Sequence, residues 1–183
     1  KNLGCKVVYT RDSDVFIPLT KRTKIANEVN GKLFISVHAN SHKNKRVRGF
    51  ETYLLRPGKT QDAKDIAHRE NRVIKTYEND NQYEKLDDSQ IIMASMAQSG
   101  FMKESERLAV EIQNQIGEVL TKQKYNRGVK QAGFQVLVGA SMPNILIELG
   151  FITNKEEEKL LLSANYQEKL AQAIFEAIAT FKK

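Results

Sequence analysis

Two periods of hydrophobic and polar residues alternate along the 183-residue chain. Cys5-Lys6-Val7-Val8-Tyr9-Thr10, entered from Gly4, reads as a short strand, with Cys5 as a small buried residue. Pro18 suits a helical first turn, and Leu19, Ile25, Ala26 and Val29 then recur at helical spacing until Asn30-Gly31. Residues 32–38 predict a second strand, with Leu33, Ile35 and Val37 on one face and Phe34, Ser36 and His38 on the other. Residues 49–55 predict a third, stopped by Arg56-Pro57-Gly58.

The stretch 59–100 is polar and irregular and reads as an insertion, centred on Asn79-Asp80-Asn81. Weak helical patterns flank that centre, one around Ala63, Ile66, Ala67 and Ile74, the other around Ile91, Ile92, Met93 and Met96. Forty structureless residues are unusual in a compact domain, so local helices or a functional lid are expected. From Lys103 a helical stripe runs through Leu108, Ile112, Ile116, Val119 and Leu120. Lys124 to Gly133 reads as a basic loop, Phe134 to Val138 as a fourth strand and Asn144 to Leu149 as a fifth. Asn154 with Glu157 resembles a capping box opening a short helix. A last helix carries Tyr166, Leu170, Ala173, Ile174, Ala177, Ile178 and Phe181 on one face. Strands alternating with helices predict an α/β fold: a mostly parallel mixed sheet flanked by helices, with a helical insertion.

Composition narrows the function only a little. The length fits one domain, or one domain with a sizeable insertion. A single cysteine rules out an internal disulfide. A net charge of +7 suits an acidic partner without choosing among nucleic acid, anionic membrane and anionic wall polymer. There is no Trp, and no aromatic residues interleave with basic ones, so no nucleic-acid partner is expected. The basic run His42-Lys43-Asn44-Lys45-Arg46-Val47-Arg48 reads as a solvated loop. No stretch approaches 18 apolar residues, so no membrane span is expected. The chain opens at Lys1, directly before a predicted strand, and reads as part of a longer protein.

Chemistry points to two strand ends. His38 closes an apolar strand, and Glu148 sits near the end of Ile145-Leu146-Ile147. Burying a carboxylate is costly unless it is paired, coordinated or protonated. Ligand sites in open α/β sheets lie at the carboxyl ends of strands. If these strands run parallel in one sheet, His38 and Glu148 meet at one edge, as a metal ligand and a general base. Structural roles for both remain open at this level. The other histidines, His42 and His68, complete no H-E-x-x-H pattern, and Gly139-Ala140-Ser141-Met142 is no nucleophile elbow.

Ser36-Val37-His38-Ala39-Asn40-Ser41 resembles the histidine motif of the zinc-dependent N-acetylmuramoyl-L-alanine amidases of the AmiA/AmiC-like type. Asn144 through Asn154 resembles their carboxyl-terminal glutamate motif. Tyr9 to Asp12, Leu19 to Arg22 with Ala26-Asn27, Gly49 to Tyr53, Gly128 to Leu137 and the final helix fit the segments between. The resemblance implies zinc as cofactor, His38 as a zinc ligand and Glu148 as general base. The substrate would be peptidoglycan, cut between N-acetylmuramic acid and L-alanine in the periplasm or outside the cell. Two further family ligands, a His and a Glu, would lie upstream of Lys1. The insertion at 59–100 is similar to a regulatory segment of cell-division amidases that covers the zinc site until an activator protein moves it. Glu70 would then be either an autoinhibitory zinc ligand or a solvated helix residue, and Ile91, Ile92, Met93 and Met96 would either face the activator or pack on the sheet. Asn40 would either meet substrate or orient its loop, while Arg22 and Arg11 read as structural. Three rivals remain: an inactive amidase-like module that binds peptidoglycan or a partner, a basic nucleic-acid-binding domain, and a zinc peptidase of wall peptides.

Overall fold

The structure, a computed structural model, describes residues 3–72, 87–120 and 125–182. Ile74, Asn79-Asp80-Asn81 and Lys124 lie outside the described residues. The chain forms two compact units: residues 1–34, 55–102 and 131–144 in one, and 35–54, 103–130 and 145–183 in the other.

The second unit holds most of a four-stranded mixed sheet. Its strands are β1 (Phe34–Asn40), β2 (Phe50–Leu55), β3 (Asn126–Ala132) and β4 (Asn144–Phe151), in the order β1-β4-β2-β3. β2 and β4 are central, and their side chains are buried on both faces except Leu149, which is half-buried. That accounts for their near-continuous apolar runs. They pair antiparallel, with Glu51 opposite Glu148, Thr52 opposite Ile147 and Tyr53 opposite Leu146. β1 is an edge strand whose inward positions are Phe34, Ser36 and Asn40, while Val37 and Ala39 face outward. Ile152 N donates to Asn40 O at 2.8 Å, and Phe34 N to Pro143 O at 3.0 Å. The two strands therefore enter and leave together, running parallel.

A long helix, α4 (Ser99–Leu120), buries Leu108, Ile112 and Ile116. It grips the sheet through buried Gln113, whose Oε1 accepts from Thr52 Oγ1 at 2.8 Å and whose Nε2 donates to Asn126 Oδ1 at 2.6 Å. The helix begins four residues before the Lys103 start that the stripe suggests. α5 (Lys155–Leu161) is capped by Asn154, whose side chain accepts from Glu156 N and Glu157 N. The Glu157 side chain does not close a capping box. It accepts instead from Gly49 N and Phe151 N, both at 2.7 Å, tying the entry of β2 to the end of β4. α6 (Ala164–Phe181) buries Leu170, Ala173 and Ala177.

The first unit contains α1 (Leu19–Glu28), α2 (Gln61–Asn71) and α3 (Asp88–Ala97). α2 is capped by Thr60, and α3 by a complete capping box of Asp87 and Gln90. Residues 133–141 pass among these helices. Asn27 spans Gly139 O and Ser141 N, Asn71 spans Gly133 O and Gln135 N, and Gln98 donates to Leu137 O. Thr23 Oγ1 donates to Val138 O at 3.1 Å. Side-chain amides and a hydroxyl thus occupy the backbone groups that a strand ladder would use.

Three expectations are corrected. Phe134 to Val138 is no strand: a 3-10 turn, Gln135–Leu137, replaces it because its backbone is held as described. Lys124 to Gly133 is no loop across 126–132, which is β3. Residues 5–10 form no strand, and Val7, Tyr9 and Cys5 are exposed. No described strand pairs with this segment, and an extended run without a ladder does not register as a sheet element. Cys5 is accordingly not a core residue. The helices around Ala63 and Ile91 do form, and Arg22 donates to Ile17 O at 3.0 Å, a structural role.

Gly49 has φ +113°, and an added Cβ would lie 2.2 Å from Tyr125 O. Gly49→Ala is expected to destabilise the fold by ~2–4 kcal/mol, combining backbone strain with a clash against main chain that has little room to move. Urea unfolding checks this, and a loss under ~0.5 kcal/mol would mean the β2–β3 junction relaxes freely.

Candidate metal centre

His38 lies on β1 and Glu148 on its neighbour β4, both in the second unit. Each offers a ligand atom, and these atoms lie within 4.8 Å of one another. His38 is partly exposed and Glu148 is wholly buried. Ser36 Oγ sits 3.0 Å from His38 Nε2, so the same strand orients the ring. An imidazole and a carboxylate are donor types that zinc accepts, with bonds near 2 Å. A base serving water held on such an ion would occupy the same neighbourhood. The residues present therefore fit a zinc ion.

The Glu148 motif also builds the turn that follows His38. Ile152 N holds Asn40 O, Thr153 Oγ1 accepts from His42 N at 3.0 Å, and Asn154 Nδ2 donates to Lys45 O at 3.0 Å. The basic loop 41–48 is thus braced by the residues just after β4. Asn40 is buried, with its Nδ2 donating to Glu51 Oε1 at 2.8 Å and its Oδ1 accepting from Ser41 N at 2.7 Å. Glu70 stands on the last turn of α2, in the first unit, partly exposed.

Glu51 is the residue that sequence reasoning missed. It is fully buried, directly opposite Glu148. Four donors converge on it. Asn40 Nδ2 and Tyr53 Oη reach Oε1, each at 2.8 Å, while Arg127 Nε, at 2.7 Å, and Lys130 Nζ reach Oε2. Arg127 and Lys130 lie three residues apart on β3, and strict alternation would send them to opposite faces. Gly128, at φ +79°, interrupts that alternation, and both cations reach one carboxylate. The Arg127 guanidinium also lies 5.3 Å from the centre of the Phe151 ring. The sequence did carry a signal. A carboxylate inside Gly-Phe-Glu-Thr-Tyr raises the same desolvation question as the one inside Ile-Leu-Ile-Glu-Leu.

Burial pushes the Glu51 carboxyl upward, but the hydrogen bonds and charges of Lys130 and Arg127 together outweigh it, leaving Glu51 below its ordinary 4.5. The Tyr53 hydroxyl is pushed far up, first by burial and then by the charge of Glu51, so it remains a donor. A depressed folded-state pKa means that the unfolded chain binds the proton more readily. The stabilisation from Glu51 is full above its unfolded value and vanishes as pH falls through the folded one. Between about pH 6 and pH 3, stability of the native chain should fall more steeply than that of Glu51→Gln. Urea melts across this range measure the difference, and parallel profiles would mean Glu51 is not held ionised.

Comparisons with known proteins address the family and the fold. The sequence pattern of the Amidase_3 family, N-acetylmuramoyl-L-alanine amidase, matches residues 1–180. N-acetylmuramoyl-L-alanine amidase AmiA of Escherichia coli K12 is 33% identical over 99% of this chain and 62% of its own length. AmiC of E. coli O6:H1 is 30% identical over 99% of this chain and 43% of its own. The chain thus spans roughly two-fifths to three-fifths of the length of these relatives. Among solved structures, the N-acetylmuramoyl-L-alanine amidase of Clostridium difficile 630 aligns with a TM-score of 0.65 at 26% identity, covering 96% of this chain and 71% of that one. AmiC2 of Nostoc punctiforme aligns at 0.62 with 30% identity, covering 95% and 71%. A family match across residues 1–180, with an α/β fold shared by these amidases, shows that the chain belongs to the N-acetylmuramoyl-L-alanine amidase family, Amidase_3.

Proposed function

We propose that this chain is the catalytic part of a peptidoglycan hydrolase that cleaves the amide between N-acetylmuramic acid and the L-alanine of the stem peptide. One observation carries the reading: in a chain that belongs to this family, His38 and Glu148 present donor atoms within 4.8 Å at the same end of two parallel strands. His38 is the zinc ligand supplied by this segment. When bound, the ion supplies Lewis-acid polarisation of the amide carbonyl and acidifies the attacking water. Glu148 does the proton work. Its carboxylate takes a proton from the water and returns it to the leaving L-alanine nitrogen, so that the amine departs neutral. Asn40, gripped by Glu51 and Ser41, holds the turn beyond His38 on which the glycan and peptide would rest.

Residues 59–100 form a regulatory insertion, and Glu70 on α2 supplies a carboxylate to the zinc in the resting state. What supports this is the resemblance of Asp62 to Asn71 to the corresponding segment of division amidases. Exposed Ile92, Met93 and Met96 on α3 are the face that an activator protein would engage. Among the described residues no helix is long and apolar enough to cross a membrane. Action on the wall places the enzyme in the periplasm or outside the cell, where the polymer lies.

Digestion of purified peptidoglycan by the full-length protein, followed by mass spectrometry, tests the activity. Stem peptides beginning with L-alanine are expected, and Glu148→Ala should reduce their release by roughly 100- to 10,000-fold. A chelator should abolish release. Cleavage within the peptide would reassign the enzyme, and undiminished release by Glu148→Ala would remove its role as base. Glu70→Ala should raise basal activity measured without any activator. Unchanged basal activity would sink the autoinhibitory role.

A further inference from the structure

The reading of His38 and Glu148 as a zinc centre leaves one expensive feature of the same sheet face unused. Glu51 is buried completely, directly across from a second buried carboxylate. Like charges opposite one another on adjacent strands are destabilising. A buried ion pair also returns little stability, because desolvation cancels much of its attraction. Stability alone therefore gives little reason for this cluster.

Charge bookkeeping along the row suggests another. Arg127 and Lys130 are about a quarter exposed, at 28% and 26%, and both bond the same carboxylate oxygen of Glu51. Neither makes another ion pair among the described residues. The trio carries a net charge of +1, and without Glu51 it would carry +2. Glu51 sits one strand from Glu148 and two from His38, while Arg127 and Lys130 come from β3, one strand further out. Strands are spaced about 5 Å apart, so the strand carrying the cations lies roughly 10–15 Å from Glu148 and His38. Coulomb interactions at such distances remain substantial in a weakly polar interior.

We propose that Glu51 is a positioning residue that masks the charges of Arg127 and Lys130, so that the sheet face accepts a divalent cation at His38. The inference rests on the zinc reading of that site and deepens it. Arg127 and Lys130 hold Glu51 ionised, and Glu51 in turn fixes Asn40. The trio thus ties the charge of the face to the shape of the turn that follows His38.

Zinc affinity of the full-length protein, measured by competition with a chromophoric chelator at fixed pH and ionic strength, tests this directly. Glu51→Gln should weaken binding by about 10- to 100-fold. Lys130→Met should tighten it by about 3- to 10-fold, because Glu51 then faces a single cation. The double variant restores the net charge of +1 and should return to within about threefold of the native affinity. A purely structural role for the trio would not tighten binding in any variant. Unchanged or weaker binding by Lys130→Met overturns the proposal, and so does a double variant as weak as Glu51→Gln. If Glu51→Gln does not fold, the direction of change in Lys130→Met decides alone. Absence of zinc binding by the native protein would instead overturn the reading of the centre itself, a result separable because every variant would then be silent.

Discussion

Glu51 and Glu148 face each other across β2 and β4 with no exposure to solvent. Two carboxyl groups at that separation in an apolar sheet lose their hydration, and ionising both would be costly. The surrounding features make sense as answers to this constraint. Lys130 and Arg127 reach one of the pair because Gly128 breaks the alternation of β3. Tyr53 and Asn40 saturate its other oxygen. Gly49 lets the strand carrying Glu51 approach β3 closely enough for the contacts to form. Glu51 is thereby satisfied by protein groups alone, and Glu148 lies at the centre adjoining His38.

The bracing of the turn after β1 follows the same economy. Residues 152–154 are joined to Asn40, His42 and Lys45 by main-chain and side-chain hydrogen bonds, so the segment that carries Glu148 also shapes the loop beyond His38. A change at Thr153 or Asn154 would act on His42 to Val47 without touching a reacting atom. In the first unit, amide side chains do comparable work. Asn27, Asn71 and Gln98 satisfy the backbone of residues 133–141 without a sheet. Buried backbone polar groups must find partners, and side chains can supply them as well as neighbouring strands.

Much of this architecture was legible from local pattern. The helices at Leu19–Glu28, Ser99–Leu120 and Ala164–Phe181 follow apolar stripes, which report a buried face wherever the helix docks. The central strands at Phe50–Leu55 and Asn144–Phe151 follow apolar runs, because both of their faces are covered. Phe134 to Val138 misled because it is apolar and buried like a strand, while its backbone partners are distant side chains. Asn126–Ala132 was hidden for the opposite reason. It is a polar edge strand on which only Ala132 is buried, so neither run nor alternation marks it.

The sequence by itself determined the two strand-end residues, His38 and Glu148, and with them the family and the chemistry to expect. A histidine or carboxylate ending an apolar strand is a local anomaly, visible without knowing what lies beside it. Tertiary structure alone decided which groups share a face. The register that sets Glu51 against Glu148 comes from pairing between segments almost 100 residues apart in the chain. The meeting of Arg127 and Lys130 on one carboxylate depends on a single positive φ at Gly128. Charge neutralisation acts through space with a steep dependence on distance, and linear order along the chain carries no information about it.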